Sequence, residues 1–310
     1  MVYQLLKRHE IIKLLHILND FDAKAKALEV KLNLKASRKF ILKTVMFILC
    51  GVLVVSIGTA FIFEMKIHYG AGCLMPLSYG YLLLYLSMLI LQFSFSTLAI
   101  KNRFCLLNDN LRFTFQNSLA KGNSTLANGN ANRLHEQLSN TIRDLYSNLC
   151  DGIDLVNESL TFQLIPFLVY YLTANLFAIY STIREVFYQT PLMYIAIGTN
   201  ICWMILHSVI ASIALYSGHI TTKCALRTPI IVSSILRNCK DKESPFTKDA
   251  FKTFLLEVQH RNMFIENEFF RIDWKLLFSM ISTITTFLVI TCQFDASLSN
   301  DSVIKNSTLG

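Results

Sequence analysis

Apolar residues along this chain are gathered into long blocks instead of recurring at the spacing of a soluble core. A helix needs about 20 mostly apolar residues to cross a hydrocarbon core of roughly 30 Å. Five blocks qualify: span A at about 40–63, span B at about 73–100, span C at about 160–180, span D at about 191–216 and span E at about 275–294. Backbone amides facing lipid have no water to bond, so each block is expected as a helix. Span B exceeds what a bilayer requires and is expected to tilt or project beyond it.

Between the blocks the pattern changes. Residues 5–34 alternate apolar and charged positions at helical spacing, so 1–39 reads as a cytosolic amphipathic helix. Residues 121–130 are rich in Gly and Asn and read as a loop tip. Leu134, Leu138, Ile142, Leu145, Leu149, Ile153 and Val156 then form a stripe that runs into span C, predicting a cytosolic helix fused to a membrane helix. Ser244-Pro245 is a helix-start signal. Phe251, Phe254, Leu255, Val258, Ile265, Phe269 and Ile272 follow at three- and four-residue spacing, predicting an anchor helix over 245–274. Such stripes can pack on neighbouring inner helices, join subunits, or both. The expected fold is all-α: one polytopic membrane bundle over 1–310 with cytosolic helical extensions.

Composition agrees. Charged residues make up 16% against 53% hydrophobic, with mean hydropathy +0.43, where soluble domains carry roughly 25% charged residues. The net charge of +8 acquires meaning from its placement. Nine Lys and Arg precede span A, six lie between B and C, and nine between D and E. The alternate segments hold one each, Lys66, Arg184 and Lys305. Cytoplasmic segments carry the Lys/Arg excess, so the amino terminus is expected inside and the carboxyl terminus outside. The basic balance therefore argues for topology and contact with anionic lipid, against nucleic acid as a partner. Lys7, Arg8, Glu10 and Lys13 exclude a signal peptide with an apolar centre. Eight cysteines show no C-x-x-C spacing, and this topology puts most of them where disulfides are not expected.

No catalytic or metal motif emerges. His9-Glu10 and His135-Glu136 lack the second histidine of H-E-x-x-H, and no G-x-S-x-G, P-loop or G-x-G-x-x-G occurs. Neither an enzyme nor a cofactor is expected. Polar groups within spans carry more information, because lipid penalises them unless they are partnered. Asn200, Trp203 and His207 fall near one face of span D; Tyr170, Tyr171 and Asn175 lie on span C, expected to kink near Pro166. These six are candidates for a ligand pocket, the alternative being interhelical hydrogen bonds of about 1 kcal/mol. Asn306-Ser-Thr is a sequon in the expected outer tail, whereas those at Asn123 and Asn157 fall inside.

Span E ends Thr285-Thr286-Phe287-Leu288-Val289-Ile290-Thr291-Cys292-Gln293-Phe294. This resembles the T-Y-h-h-h-h-h-Q-F signature of insect gustatory receptors, with Thr286, Gln293 and Phe294 in place, Phe287 for the tyrosine and Thr291 at an apolar position. Upstream, Phe269-Phe-Arg-Ile-Asp273 with Lys275-Leu-Leu-Phe, and Asp151-Gly-Ile-Asp-Leu-Val-Asn157, resemble the family's approaches to its membrane helices. The resemblance implies a seven-helix chemoreceptor that works as a four-subunit, ligand-gated cation channel in the plasma membrane of gustatory neurons. Its partners would be a small-molecule tastant, lipid, and copies of itself or other gustatory receptors. The pore positions it implies are Ile290, Gln293 and Phe294. With five spans counted, the family's first two are expected to be missing here. Alternatives are an odorant receptor of the same superfamily and a truncated, non-conducting subunit. A G-protein-coupled receptor is opposed by the inside amino terminus.

Overall fold

The computed structural model describes residues 8–27, 34–67, 74–121, 129–189, 191, 193–238 and 245–308. Among them are nine helices: α1 (Arg8–Ala27), α2 (Leu34–Ile67), α3 (Leu74–Lys121), α4 (Gly129–Ser159), α5 (Leu164–Tyr188), α6 (Met193–Ala225), α7 (Arg227–Asn238), α8 (Pro245–His260) and α9 (Trp274–Thr308). Five stretches are long and apolar enough to cross a membrane: Leu42–Ile62, Ser78–Phe113, Leu164–Phe187, Met193–Arg237 and Trp274–Phe294. The chain is an all-helical polytopic membrane bundle. Helix α3 has 48 residues, about 72 Å at 1.5 Å per residue, so it extends well beyond any bilayer core, as expected for span B.

Two helices expected to run unbroken are interrupted. The stripe from Leu134 does not continue into span C: α4 ends at Ser159, and α5 begins only at Leu164. The Leu160 and Thr161 amides both donate to the Val156 carbonyl, at 2.9 and 3.2 Å, and the Thr161 hydroxyl donates to the Asn157 carbonyl. Pro166 explains the break. It has no N–H for the Phe162 carbonyl, and its ring would clash with that carbonyl in a continuous helix. It therefore sits in the first turn of α5, and the expected kink becomes a helix start. The same rule parts α6 from α7, where Pro229 follows the Leu226 turn.

The second correction concerns 245–274. Helix α8 stops at His260, and 261–273 is an irregular connector closed by a bridge between Glu266 and Arg271. Asparagine and aspartate side chains compete with the helix for backbone donors. Asn262 Oδ1 accepts from the Phe264 amide at 3.0 Å, and Asn267 Oδ1 from Phe269 and Phe270 at 3.0 and 2.8 Å. Asp273 Oδ1 then caps α9 through the Lys275 and Leu276 amides, at 2.9 and 3.3 Å. Met263, Ile265 and Ile272 are buried without helical spacing, and Phe269 is exposed.

The chain divides into two compact units, 1–36, 93–162 and 216–272 in the first, and 37–92, 163–215 and 273–310 in the second. In the first unit α1 packs on α4, and α8 packs on α4 and α7. Tyr146 is fully buried, edge-on to Phe104 and Phe254 with ring centroids 6.1 and 5.5 Å away. Arg103 meets Asp22 in a two-pronged pair, Nε to Oδ1 at 2.8 Å and Nη2 to Oδ2 at 2.6 Å. In the second unit α9 packs on α5. Helices α2, α3 and α6 approach closely through glycines: a Cβ on Gly51 would lie 2.8 Å from Leu206 Cδ1, and one on Gly80 2.7 Å from Ser56 Oγ. Small residues let membrane helices touch backbone to backbone, where dispersion rather than hydrophobic burial binds them.

Because the Arg103 side chain is only 7% exposed, Asp22→Ala leaves a guanidinium buried without its carboxylate. The expected loss is about 3 kcal/mol, read as a lower melting temperature of the detergent-solubilised protein. Replacing both residues together, Asp22→Leu with Arg103→Met, is expected to recover most of it.

Candidate functional site

Of the six ligand candidates, three converge within the second unit. Trp203 and His207 are one helical turn apart on α6, with ring centroids 5.1 Å apart. Tyr170 of α5 meets the His207 ring edge-on at 5.3 Å. Helix α2 supplies a fourth member that the sequence reading did not single out: Trp203 Nε1 donates to Thr59 Oγ1 at 3.2 Å, and that hydroxyl donates to its own Val55 carbonyl at 2.6 Å. Thr59 follows Gly58, whose missing side chain leaves room for Thr199 of α6, 3.0 Å from where a Cβ would stand. The seven-residue spacing of Gly51 and Gly58 was the available signal for this contact.

The remaining three have other partners. Asn200 donates to Thr182 Oγ1 at 3.2 Å, an interhelical bond between α6 and α5. The buried Asn175 amide donates to the Tyr171 carbonyl of its own helix at 2.7 Å. Tyr171 is buried against Phe167 and not beside His207. His207 differs from all of these. It is 2% exposed, and neither ring nitrogen has a hydrogen-bond partner in the protein. A buried imidazole needs at least one donor and one acceptor satisfied, and leaving them unmade costs about 1–3 kcal/mol each. The cluster therefore offers an aromatic wall and two free hydrogen-bonding atoms.

The positions of the T-x-h-h-h-h-h-Q-F segment all lie on α9. This span is the least enclosed of the five, with 11% of its apolar window buried, against 56% for the span in α3. Met280 and Ile284 form the buried stripe, whereas Phe287, Ile290, Gln293 and Phe294 are exposed. Thr283, Thr285, Thr286 and Thr291 donate back to their own helix, at 2.8 to 3.0 Å, so their hydroxyls do not depend on water. Asn306 is helical in α9, and its side chain lies outside the described residues, as does the Asn123 sequon. The Asn157 amide is occupied on both sides, donating to the Phe264 carbonyl at 2.8 Å and accepting from Glu266 at 3.1 Å.

In α4, two groups with nucleophilic potential, Cys150 and Tyr146, are buried. Burial pushes the Cys150 thiol up to about 12 and raises the Tyr146 phenol above its ordinary range, which keeps both protonated. Arg261 holds Asp151 at 2.9 Å and Ser147 at 3.1 Å, tying the connector to α4.

A family model described as 7tm Chemosensory receptor matches residues 1–298, taking in α1 and all five spans. No curated protein matches the chain.

The free nitrogens of His207 make a stability prediction. His207→Phe keeps the ring contacts and removes two unsatisfied atoms, so its melting temperature is expected to equal or exceed that of the parent. His207→Ala opens a cavity and is expected to cost about 3 kcal/mol. Equal losses in both variants would mean that the nitrogens carry a structural bond.

Proposed function

The chain belongs to the 7tm chemosensory receptor family, and from that membership we propose that it is a gustatory receptor, a subunit of a ligand-gated, non-selective cation channel. Chemoreception is the family's role, and it is a family of receptors, not of enzymes; the chain is a multi-pass membrane protein. The observation that carries the finer reading is α9, which keeps one narrow face for α5 and leaves Ile290, Gln293 and Phe294 exposed. A helix like this has more apolar and amide surface than one lipid face requires. In a tetramer, of this chain alone or with other gustatory receptors, four copies of α9 surround an axis. Rings of Ile290 and Phe294 close the path by dewetting, and a ring of Gln293 amides replaces part of an ion's hydration shell. The amino terminus lies inside and the Gln293 end of α9 outside, in the plasma membrane of gustatory neurons.

The tastant binds at Tyr170, Trp203 and His207. It combines an apolar or aromatic body with a polar group that engages the imidazole. The odorant-receptor alternative is disfavoured by the T-x-h-h-h-h-h-Q-F ending of α9.

Expression in oocytes, with sugars, bitter compounds and carbon dioxide applied in turn, tests the reading. A cation current is expected for one class, and Gln293→Ala is expected to keep surface expression while shifting the relative permeability to sodium, potassium and calcium several-fold. Current that requires a second gustatory receptor and is indifferent to Gln293→Ala would make this chain a non-conducting partner.

A further inference from the structure

The first unit brings two cysteines from distant helices together. Cys105 of α3 and Cys224 of the last turn of α6 bring their sulfurs to 2.9 Å across 119 residues of chain. Both are free thiols; Cys105 is partly exposed and Cys224 is buried. A disulfide needs about 2.05 Å between sulfurs, so a movement of under one ångström separates contact from bond. The rest of the seam holds them in register. Asn108 Nδ2 donates to the Cys224 carbonyl at 2.9 Å, Thr228 donates to Asn108 Oδ1 at 2.9 Å, and Thr221 donates to the Thr97 carbonyl at 3.0 Å. These hydrogen bonds lie on both sides of the cysteines along the seam.

Charged and amide residues flank both cysteines along the chain. Lys101, Asn102 and Arg103 precede Cys105 within one turn, Asn108, Asp109 and Asn110 follow it, and Lys223 and Arg227 flank Cys224. On the proposed orientation, on which this inference rests, these ends of α3 and α6 face the cytosol, where disulfides are usually transient and redox-sensing.

We propose that Cys105 and Cys224 are a reversible redox-modification site whose substrate is a small hydroperoxide. The partly exposed Cys105 sulfur attacks one peroxide oxygen and the O–O bond breaks. For hydrogen peroxide, the departing hydroxide takes up the thiol proton and leaves as water, giving a sulfenic acid on Cys105. The Cys224 sulfur then attacks Cys105 Sγ, the S–O bond breaks, and a second water departs with the Cys224 proton. Two thiols are oxidised, one peroxide is reduced to two waters, and an intracellular thiol reductant reverses the bond. The staple fixes α3 to α6 just before the turn at Leu226. The same end of α6 holds the connector that leads into α9, since Thr222 Oγ1 accepts from the Ile265 amide at 3.1 Å and Gly218 lies against Ile272.

The test treats cells expressing the full chain with hydrogen peroxide, blocks free thiols with N-ethylmaleimide and maps peptides by mass spectrometry. A peptide pair linked through Cys105 and Cys224, two hydrogens lighter than its reduced parts and lost with dithiothreitol, is expected. Cys224→Ser is expected to leave Cys105 as a sulfenic acid that a dimedone probe captures, several-fold above the unmutated chain; Cys105→Ser is expected to give no adduct at Cys224. Finding both cysteines alkylated after peroxide, or each linked to other cysteines, would overturn the proposal. A membrane-impermeant maleimide separates the two premises. Labelling of Cys105 from outside intact cells overturns the cytosolic assignment, while the linked peptide still decides whether the pair forms.

Discussion

Everything in this chain follows from the need of each peptide group to find a hydrogen-bond partner where no water is present. In hydrocarbon that need leaves the helix as the only local solution, which is why five apolar blocks become five helical spans and the described residues hold no ladder beyond one bridge. The same requirement fixes where helices cannot continue. Pro166 and Pro229 withhold a donor and crowd a carbonyl, so the chain turns at 160–163 and at Leu226. It also governs the hydroxyls of α9, which bond back to their own turn and let that helix stand with little protein around it.

The spans were legible because their signal is composition over about 20 residues, which local detail does not disturb. The stripes were legible only in part. Phe254 and Val258 sit on the buried face of α8 as their spacing implied, but Ile265 and Ile272 are buried from an irregular connector. Apolar spacing reports which residues are covered; it does not report whether Asn262, Asn267 and Asp273 have already taken the backbone donors that a helix would use. A kink at Pro166 and a first-turn position for it satisfy the rule for proline equally, and only the break after Ser159 selects the second.

The candidate site shows the same division. Trp203 and His207 share a face at a spacing of four, and sequence finds that pairing. It does not find Thr59, which is 144 residues from Trp203 and reaches it because glycines let α2 and α6 approach. Nor does it separate His207, whose nitrogens are free, from Asn175 and Asn200, whose amides are bonded. All three look alike as polar residues in apolar blocks. Cys105 and Cys224 were invisible for a related reason: their proximity depends on the packing of α3 against α6, and no spacing along the chain encodes it.

Orientation ties the parts together, since it decides which end of α9 faces outward and which compartment the ends of α3 and α6 meet. It rests on the alternation of lysine and arginine between segments. Epitope tags before Met1 and after Gly310, stained on intact and then permeabilised cells, test it most directly. The tag after Gly310 is expected to stain on intact cells, and the tag before Met1 only after permeabilisation. The reverse pattern would contradict the inside amino terminus, and with it the outward end of α9.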